Sequence, residues 1–202
     1  MLRPWNTRLL ICFLWLGCFG LANAQVKSVD LTDIEGRKIK LCNDDFIGTV
    51  VVFISTDCPV ANSYQPKLRR LGSECSSSKL QFVMVHGNPQ TTNQQARKHQ
   101  QEYQIDWSIV LDSDQRIALE MQAKNIPEAF LLDSKGAVLY RGRIDNQYAA
   151  LGKKRPTPTE HNLSDAIAAF LNGQPIPLKE TQAVGCVIRY PQTASPSEAK
   201  NK

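Results

Sequence analysis

Residues 49–59 run Thr-Val-Val-Val-Phe-Ile-Ser-Thr-Asp-Cys-Pro. The first seven, TVVVFIS, form a continuous β-branched and aromatic run, the composition of a central strand buried on both faces. Helix-starting chemistry follows: Asp57 suits an N-cap and Pro59 the first turn. A buried strand passing directly into a helix sets Cys58 at the strand's exposed C-terminal edge, where open sheets place their sites. Free amides and the helix dipole stabilise an anion there. The Cys58 thiol is therefore expected to be reachable, reactive and ionised below its usual value of about 8.5. The competing view is a structural half-cystine or an inert buried thiol.

Working outward, the helix begun at Pro59 is predicted over 59–75, with Tyr64, Leu68 and Leu71 as its apolar stripe. Residues 80–85 (LQFVMV) read as a second buried strand. A polar, Gln-rich helix follows over 91–103, capped by Thr91 or Thr92, then a short strand over 107–111. A short helix over 114–122 takes Asp112 or Ser113 as cap. Strands at 129–132 and 138–144 flank Asp133-Ser134-Lys135-Gly136, which is hairpin-turn chemistry. Residues 152–158 read as a loop and 162–171 as a last helix with Leu163, Ile167 and Phe170 on one face. Upstream, 29–31 and 37–41 alternate around Ile34-Glu35-Gly36 as a hairpin. From 173 the tail is expected to be irregular, with 195–202 disordered. Strands alternating with helices define an α/β chain: a mixed central sheet flanked by helices, an N-terminal β-hairpin and an irregular C-terminal tail.

The 202 residues suffice for one domain with a real core, and 42% hydrophobic with 21% charged residues excludes a disordered or multi-span chain. The first 24 residues stand apart. Arg3 and Arg8 precede an apolar run over 9–22, and Ala22-Asn23-Ala24 carries small residues where signal peptidase reads. A run of 14 residues is short for a bilayer span. Residues 1–24 are thus read as a signal peptide, 25–172 as the folded domain and 173–202 as a tail carrying Cys186. The mature protein would be periplasmic or extracellular, with no stable membrane insertion; a lipid anchor at Cys18 is the lesser alternative. Cleavage removes Arg3, Arg8 and no acid, so the net charge falls from +5 to +3. That mild balance offers no clustered basic face, and no nucleic-acid partner is expected.

Six cysteines are present, and Cys42, Cys58, Cys75 and Cys186 remain after cleavage. Export would place them where disulfides persist. Four cysteines allow three pairings, and spacing does not choose among them. No CxxC occurs, and Ala61 stands three residues after Cys58. A paired-cysteine zinc site is not expected, and neither a metal nor a cofactor is assigned. Ile126-Pro127 stands just before the strand at 129–132, a position that suits a proline at a strand's first residue.

The hairpin around Asp33-Ile34-Glu35-Gly36, the strand into Cys58-Pro59, Leu111-Asp112-Ser113-Asp114, Ile126-Pro127-Glu128-Ala129-Phe130-Leu131-Leu132-Asp133 and Tyr140-Arg141-Gly142 occur in an order that resembles the thioredoxin-like redoxins. These comprise the AhpC/TSA-type redoxins, including the peroxiredoxins, and exported thioredoxin-like thiol–disulfide oxidoreductases. The resemblance runs over most of the chain after the leader. It implies a thioredoxin fold, Cys58 as the attacking sulfur, and a cis Pro127 packed against it. Ile126 and Pro59 would border the substrate, with Ile126 presenting its backbone to an extended chain by strand addition. Two departures bear on the chemistry. The second cysteine of thioredoxins is here Ala61. Of the peroxiredoxin pattern, Ser55 keeps the hydroxyl near the thiol, but Val51 replaces the proline and Pro127 the peroxide-polarising arginine. Disulfide exchange is therefore favoured over hydroperoxide reduction, unless Arg141 or Arg143 substitutes.

An attacking thiol needs a second thiol to resolve its product. Cys75 lies 17 residues along the predicted helix, about 25 Å away at 1.5 Å per residue. That exceeds the roughly 7 Å a disulfide allows between Cα atoms. Cys42 and Cys75 both belong toward the opposite end of the sheet and are expected to form a structural disulfide. Cys186 remains as the resolving thiol, either cycling with Cys58 or forming a static staple with it. Among the histidines, His86 ends a strand at the Cys58 edge, while His99 and His161 are expected at the surface. A copper-binding accessory module would use Cys58, Cys186 and His86, but Asn62 stands where copper carriers hold their second cysteine. Lys153-Lys154-Arg155 reads as a solvated loop. The expected activity is thiol–disulfide exchange on a protein or small-molecule disulfide, with hydroperoxide reduction second and an unidentified electron donor.

Overall fold

The hydrophobic run opening at Thr49 becomes the central strand of a five-stranded sheet in the computed structural model, which describes residues 25–191. The expected signal peptide and the tail end at 195–202 lie outside those residues. Gln25, the first residue after the expected cleavage point, pairs with Ala137.

Strands β1 (Asp30–Thr32) and β2 (Lys38–Lys40) form the expected hairpin. Its turn is tied by the Asp33 carboxylate, which accepts from the Glu35 and Arg37 amides at 3.0 and 2.8 Å. Strand β3 (Gly48–Ile54) is buried along its whole length. The helix after it is interrupted. It divides into α1 (Pro59–Ser63) and α2 (Gln65–Ser77). Pro66 has no amide for the Asn62 carbonyl and its ring crowds that turn, so the chain steps at Tyr64 instead of continuing over 59–75. The apolar stripe was still correctly placed: Tyr64, Leu68 and Leu71 are all buried.

Strand β4 (Leu80–His86) pairs parallel to β3, and α2 packs on it. Helix α3 (Asn93–Tyr103) starts with a capping box between Thr92 and Gln95. Strand β5 (Ser108–Leu111) adds parallel to β4. Helix α4 (Arg116–Met121) is shorter than expected, with Gln115 at φ +57° before it. The Asp112 carboxylate reaches across that turn to accept from the Ile117 and Ala118 amides at 3.0 and 2.8 Å. The two-residue β6 (Asn125–Ile126) precedes β7 (Glu128–Asp133), which is antiparallel to β3, and β8 (Val138–Gly142) closes the sheet. The order is β5-β4-β3-β7-β8. Phe53 and Phe130 meet edge to face at its centre, 5.8 Å apart.

Two expectations fail beyond β8. The loop expected at 152–158 begins within a small hairpin of β9 (Tyr148–Ala150) and β10 (Lys153–Lys154). The tail is not irregular throughout, because β11 (Cys186–Val187) pairs antiparallel with β6. Helix α5 (Asn162–Leu171) packs on β7 and β8, as its apolar face required. Among the described residues, no helix is long and apolar enough to cross a membrane.

Candidate active site

Cys58 takes the N-cap position of α1, with extended backbone (φ −91°, ψ 106°) and no side-chain cap bond. Asp57, the expected cap, lies one residue earlier, where its amide donates to Ser55 Oγ at 3.3 Å. The Cys58 thiol donates to the Ile126 carbonyl oxygen at 3.1 Å. The Ile126–Pro127 peptide is cis. The residue expected at an exposed edge is 1% exposed. The strand does end there, but a remote part of the chain covers it.

That cover is the segment 179–190. Its first part adds to the edge of β8: the Arg141 amide donates to the Lys179 carbonyl at 2.9 Å and the Thr181 amide to the Arg141 carbonyl at 3.0 Å. The chain then crosses Pro127 to β6, where Cys186 pairs with Ile126 and Val187 with Asn125. Gly185 lies so close that a Cβ would stand 1.9 Å from the Ile126 oxygen. Beyond β11 the Ile188 amide donates to the Lys124 carbonyl at 3.0 Å. Gln115 Nε2 donates to the Arg189 carbonyl at 2.9 Å, and the Tyr190 hydroxyl to the Ala123 carbonyl at 2.5 Å. The edge that the resemblance assigned to a substrate strand is thus occupied by the protein's own chain.

Pairing with Ile126 brings Cys186 against Cys58. Burial, then a side-chain hydrogen bond to Cys58 and the charge that sulfur would carry, push the Cys186 thiol up from its ordinary value. Both thiols are free. They border a cavity of about 620 Å³ lined also by Ser55, Asp57, Asn88, Gln90 and Arg189. Ser55, Ile126 and Cys186 therefore gather at Cys58. Pro127 touches the site from behind, beside Tyr64 and Val184. Pro59 is exposed and does not line the cavity.

The expected Cys42–Cys75 disulfide is not formed; both are free, buried thiols. Cys42 lies against the β7–β8 turn, near Gly136, whereas Cys75 sits on α2, which packs on β4. Burial, then the Asp133 charge, pushes Cys42 up to about 11, and burial pushes Cys75 up to about 12. Of the histidines, His86 ends β4 and His161 is exposed, as expected, but one differs. His99 is buried, its Nε2 bonded to Asn62 Oδ1 at 3.0 Å, and its ring meets His86 at 5.3 Å. Neither nitrogen of His86 has a partner among the described residues, and burial with the His99 charge pushes His86 down to about 3. Among the described residues, no three His, Cys, Asp or Glu side chains converge to hold a metal ion.

The two candidate arginines are engaged elsewhere. Arg141 donates to the Gln122 carbonyl at 2.8 Å and lies over the Phe130 ring, while Arg143 donates to Asn162 Oδ1 at 2.8 Å and Glu160 Oε2 at 2.6 Å. Residues 188–190, which complete the cover, escaped the sequence reading. Their one local signal was the apolar pair Val187-Ile188 directly after Gly185-Cys186.

A five-stranded mixed sheet, a cysteine heading the helix after its central strand, and a cis-proline beside that sulfur define the thioredoxin-like redoxins. The chain belongs to the AhpC/TSA family, whose model matches residues 22–141. An uncharacterised conserved protein from Geobacillus kaustophilus shares the fold at a TM-score of 0.71 and 24% identity, over 83% of this chain and 91% of its own. A hypothetical protein from Sinorhizobium meliloti 1021 superposes at 0.74 and 21% identity, covering 84% and 94%. A Chlorobium tepidum protein assigned as the thiol:disulfide interchange protein DsbE superposes at 0.60 and 18% identity, covering 74% and 96%. No curated protein matches the chain.

Proposed function

We propose that the protein is a redoxin-type thiol–disulfide oxidoreductase acting outside the cytoplasm, with Cys58 and Cys186 as its dithiol/disulfide couple. One observation carries this reading: β11 pairs with β6 and sets Cys186 opposite Ile126, whose carbonyl accepts from the Cys58 thiol. The Cys58 thiolate attacks a substrate disulfide, forms a mixed disulfide and releases one thiolate. Cys186 then gives up its proton and attacks the Cys58 sulfur. The second substrate thiol departs and the Cys58–Cys186 bond closes. The substrate gains two electrons and the couple loses two. A thiol reductant restores the dithiol. The engagement of Arg141 and Arg143 elsewhere favours disulfides over hydroperoxides, because neither guanidinium is free to stabilise a departing peroxide oxygen.

The test is thiol mapping of the chain purified from residue 25, paired with turnover of a dithiol-coupled disulfide substrate. A cycling couple opens in mild reductant, closes as Cys58–Cys186 on oxidation, and loses turnover in both Cys58→Ser and Cys186→Ser. A Cys58→Ser variant with undiminished turnover, or a bond that resists mild reductant, overturns the reading. Sequencing the N-terminus of the exported protein checks the compartment, with Gln25 expected first.

A further inference from the structure

The route to the two sulfurs narrows what can react with them, and this inference rests on the redox reading above. The segment 179–190 is tied on both sides of Cys186. Backbone bonds hold it to Arg141 on one side and to Lys124 on the other, with Gln115 and Tyr190 adding side-chain bonds. Ile188 is 5% exposed and packs near Gly87, beside Phe53 and Ile126. Peeling the segment away forfeits these bonds and that burial together, which leaves the open form below about one molecule in a thousand. A protein substrate adding a strand at Ile126 needs that open form.

A small molecule does not. The cavity of about 620 Å³ borders both sulfurs with the segment in place, and its size is typical of small-molecule sites. Two exposed residues of opposite charge, Asp57 and Arg189, line it, together with the polar side chains of Asn88 and Gln90. An acid and a base at one cavity complement a molecule that carries both an ammonium and a carboxylate.

We propose that the couple exchanges with low-molecular-weight disulfides built from single amino acids or di- and tripeptides, too short to add a strand at Ile126, admitted through this cavity while the segment 179–190 stays docked. The Cys58 thiolate attacks one sulfur of the small disulfide, forming one S–S bond as another breaks. The leaving half departs as a thiolate and takes up a proton. Cys186 loses its proton and attacks the Cys58 sulfur, releasing the second half as a thiol. Two small thiols and one protein disulfide result, and the same steps run backwards when small thiols reduce the protein.

The experiment compares three oxidants on the reduced mature chain: cystine, the uncharged 2-hydroxyethyl disulfide, and the disulfide-linked dimer of the peptide Gly-Cys-Val-Ile-Arg-Tyr. Closure of Cys58–Cys186 is followed by acid quenching and peptide mass. Cystine is expected to react at least about tenfold faster than the peptide dimer, and Arg189→Glu to lower its rate relative to 2-hydroxyethyl disulfide by about threefold or more. Ile188→Ala, or the milder Gln115→Ala, loosens the segment and is expected to speed the peptide dimer alone. A wild-type protein that prefers the peptide dimer overturns the proposal, as does loosening that speeds cystine equally. If diamide too fails to close Cys58–Cys186, the redox reading itself fails. If diamide closes it while the peptide dimer outruns cystine, only the substrate class is wrong.

Discussion

Replacing Gly185 with alanine separates docking of β11 from mere chain proximity as the force that holds the two sulfurs together. A Cβ at this position would stand 1.9 Å from the Ile126 oxygen, 2.5 Å from its carbon and 3.0 Å from Pro127 Cδ. A carbon rests against a carbonyl oxygen at about 3.3 Å, so the strand must retreat by about 1.4 Å. The obstructing atoms are backbone and a proline ring, and none can swing aside. β11 has two residues, and a retreat of that size forfeits its ladder to β6. Each lost bond costs about 1 kcal/mol, and keeping the strand docked under strain costs about 1–3 kcal/mol. Taking about 3 kcal/mol, the equilibrium constant for closing Cys58–Cys186 falls by about 150-fold, a rise of about 60 mV in reduction potential. The assay equilibrates mature protein with graded thiol–disulfide buffers, quenches with acid and alkylator, and reads the oxidised fraction by mass. The five-stranded sheet does not include β11, so the thermal midpoint should move little. A Gly185→Ala protein that titrates at the wild-type potential would refute the claim that this strand positions Cys186.

The buried thiols away from the site set an alkaline limit on stability. An unfolded thiol ionises near about 8.5, while Cys42 and Cys75 are held up to about 11 and about 12 in the fold. Their contribution is complete below the unfolded value and is lost as pH rises toward the folded ones. Urea midpoints should fall above pH of about 8.5 and fall less in Cys42→Ala/Cys75→Ala; equal slopes would count against this. At the acid end His86 is held down to about 3, so its contribution is complete above the ordinary value of about 6.5 and is lost as pH falls below it. His86→Phe removes a ring whose nitrogens have no partners and should flatten the acid limb of the urea midpoints by up to about 1.4 kcal/mol per pH unit. Asp145, 1% exposed, accepts from the Tyr64 hydroxyl at 2.6 Å and the Gln147 amide at 2.8 Å and pairs with Lys67. Asp145→Ala should cost about 3 kcal/mol in urea unfolding and Asp145→Asn clearly less; equal losses would deny the carboxylate its role.

Much of the scaffold was legible because its signals are local. The run at 49–55 has no polar side for solvent, so it had to be a central strand, and β3 is buried throughout. The 162–171 helix matched to the residue, since its apolar face and boundaries lie within one short window. Where two local signals competed, the weaker one misled. The stripe of Tyr64, Leu68 and Leu71 argued for one helix, yet Pro66 removes an amide from its middle, and a missing hydrogen bond overrides a continuous apolar face.

The residues around Cys58 identified by themselves the strand, the turn and the sulfur that ends it. They carried no information on what covers that sulfur, because the cover comes from a segment 128 residues further along the chain. Strands of two residues have no period to detect, and β6 and β11 exist only because each completes the other's hydrogen bonds. The sequence by itself determined the fold and the position of one thiol at the head of a helix. Only the tertiary structure decided that Cys58 is roofed, that Cys186 is its neighbour, and that Cys42 and Cys75 stay apart. Those outcomes depend on backbone groups meeting across long loops, a condition set by the whole packed chain and by no window of it.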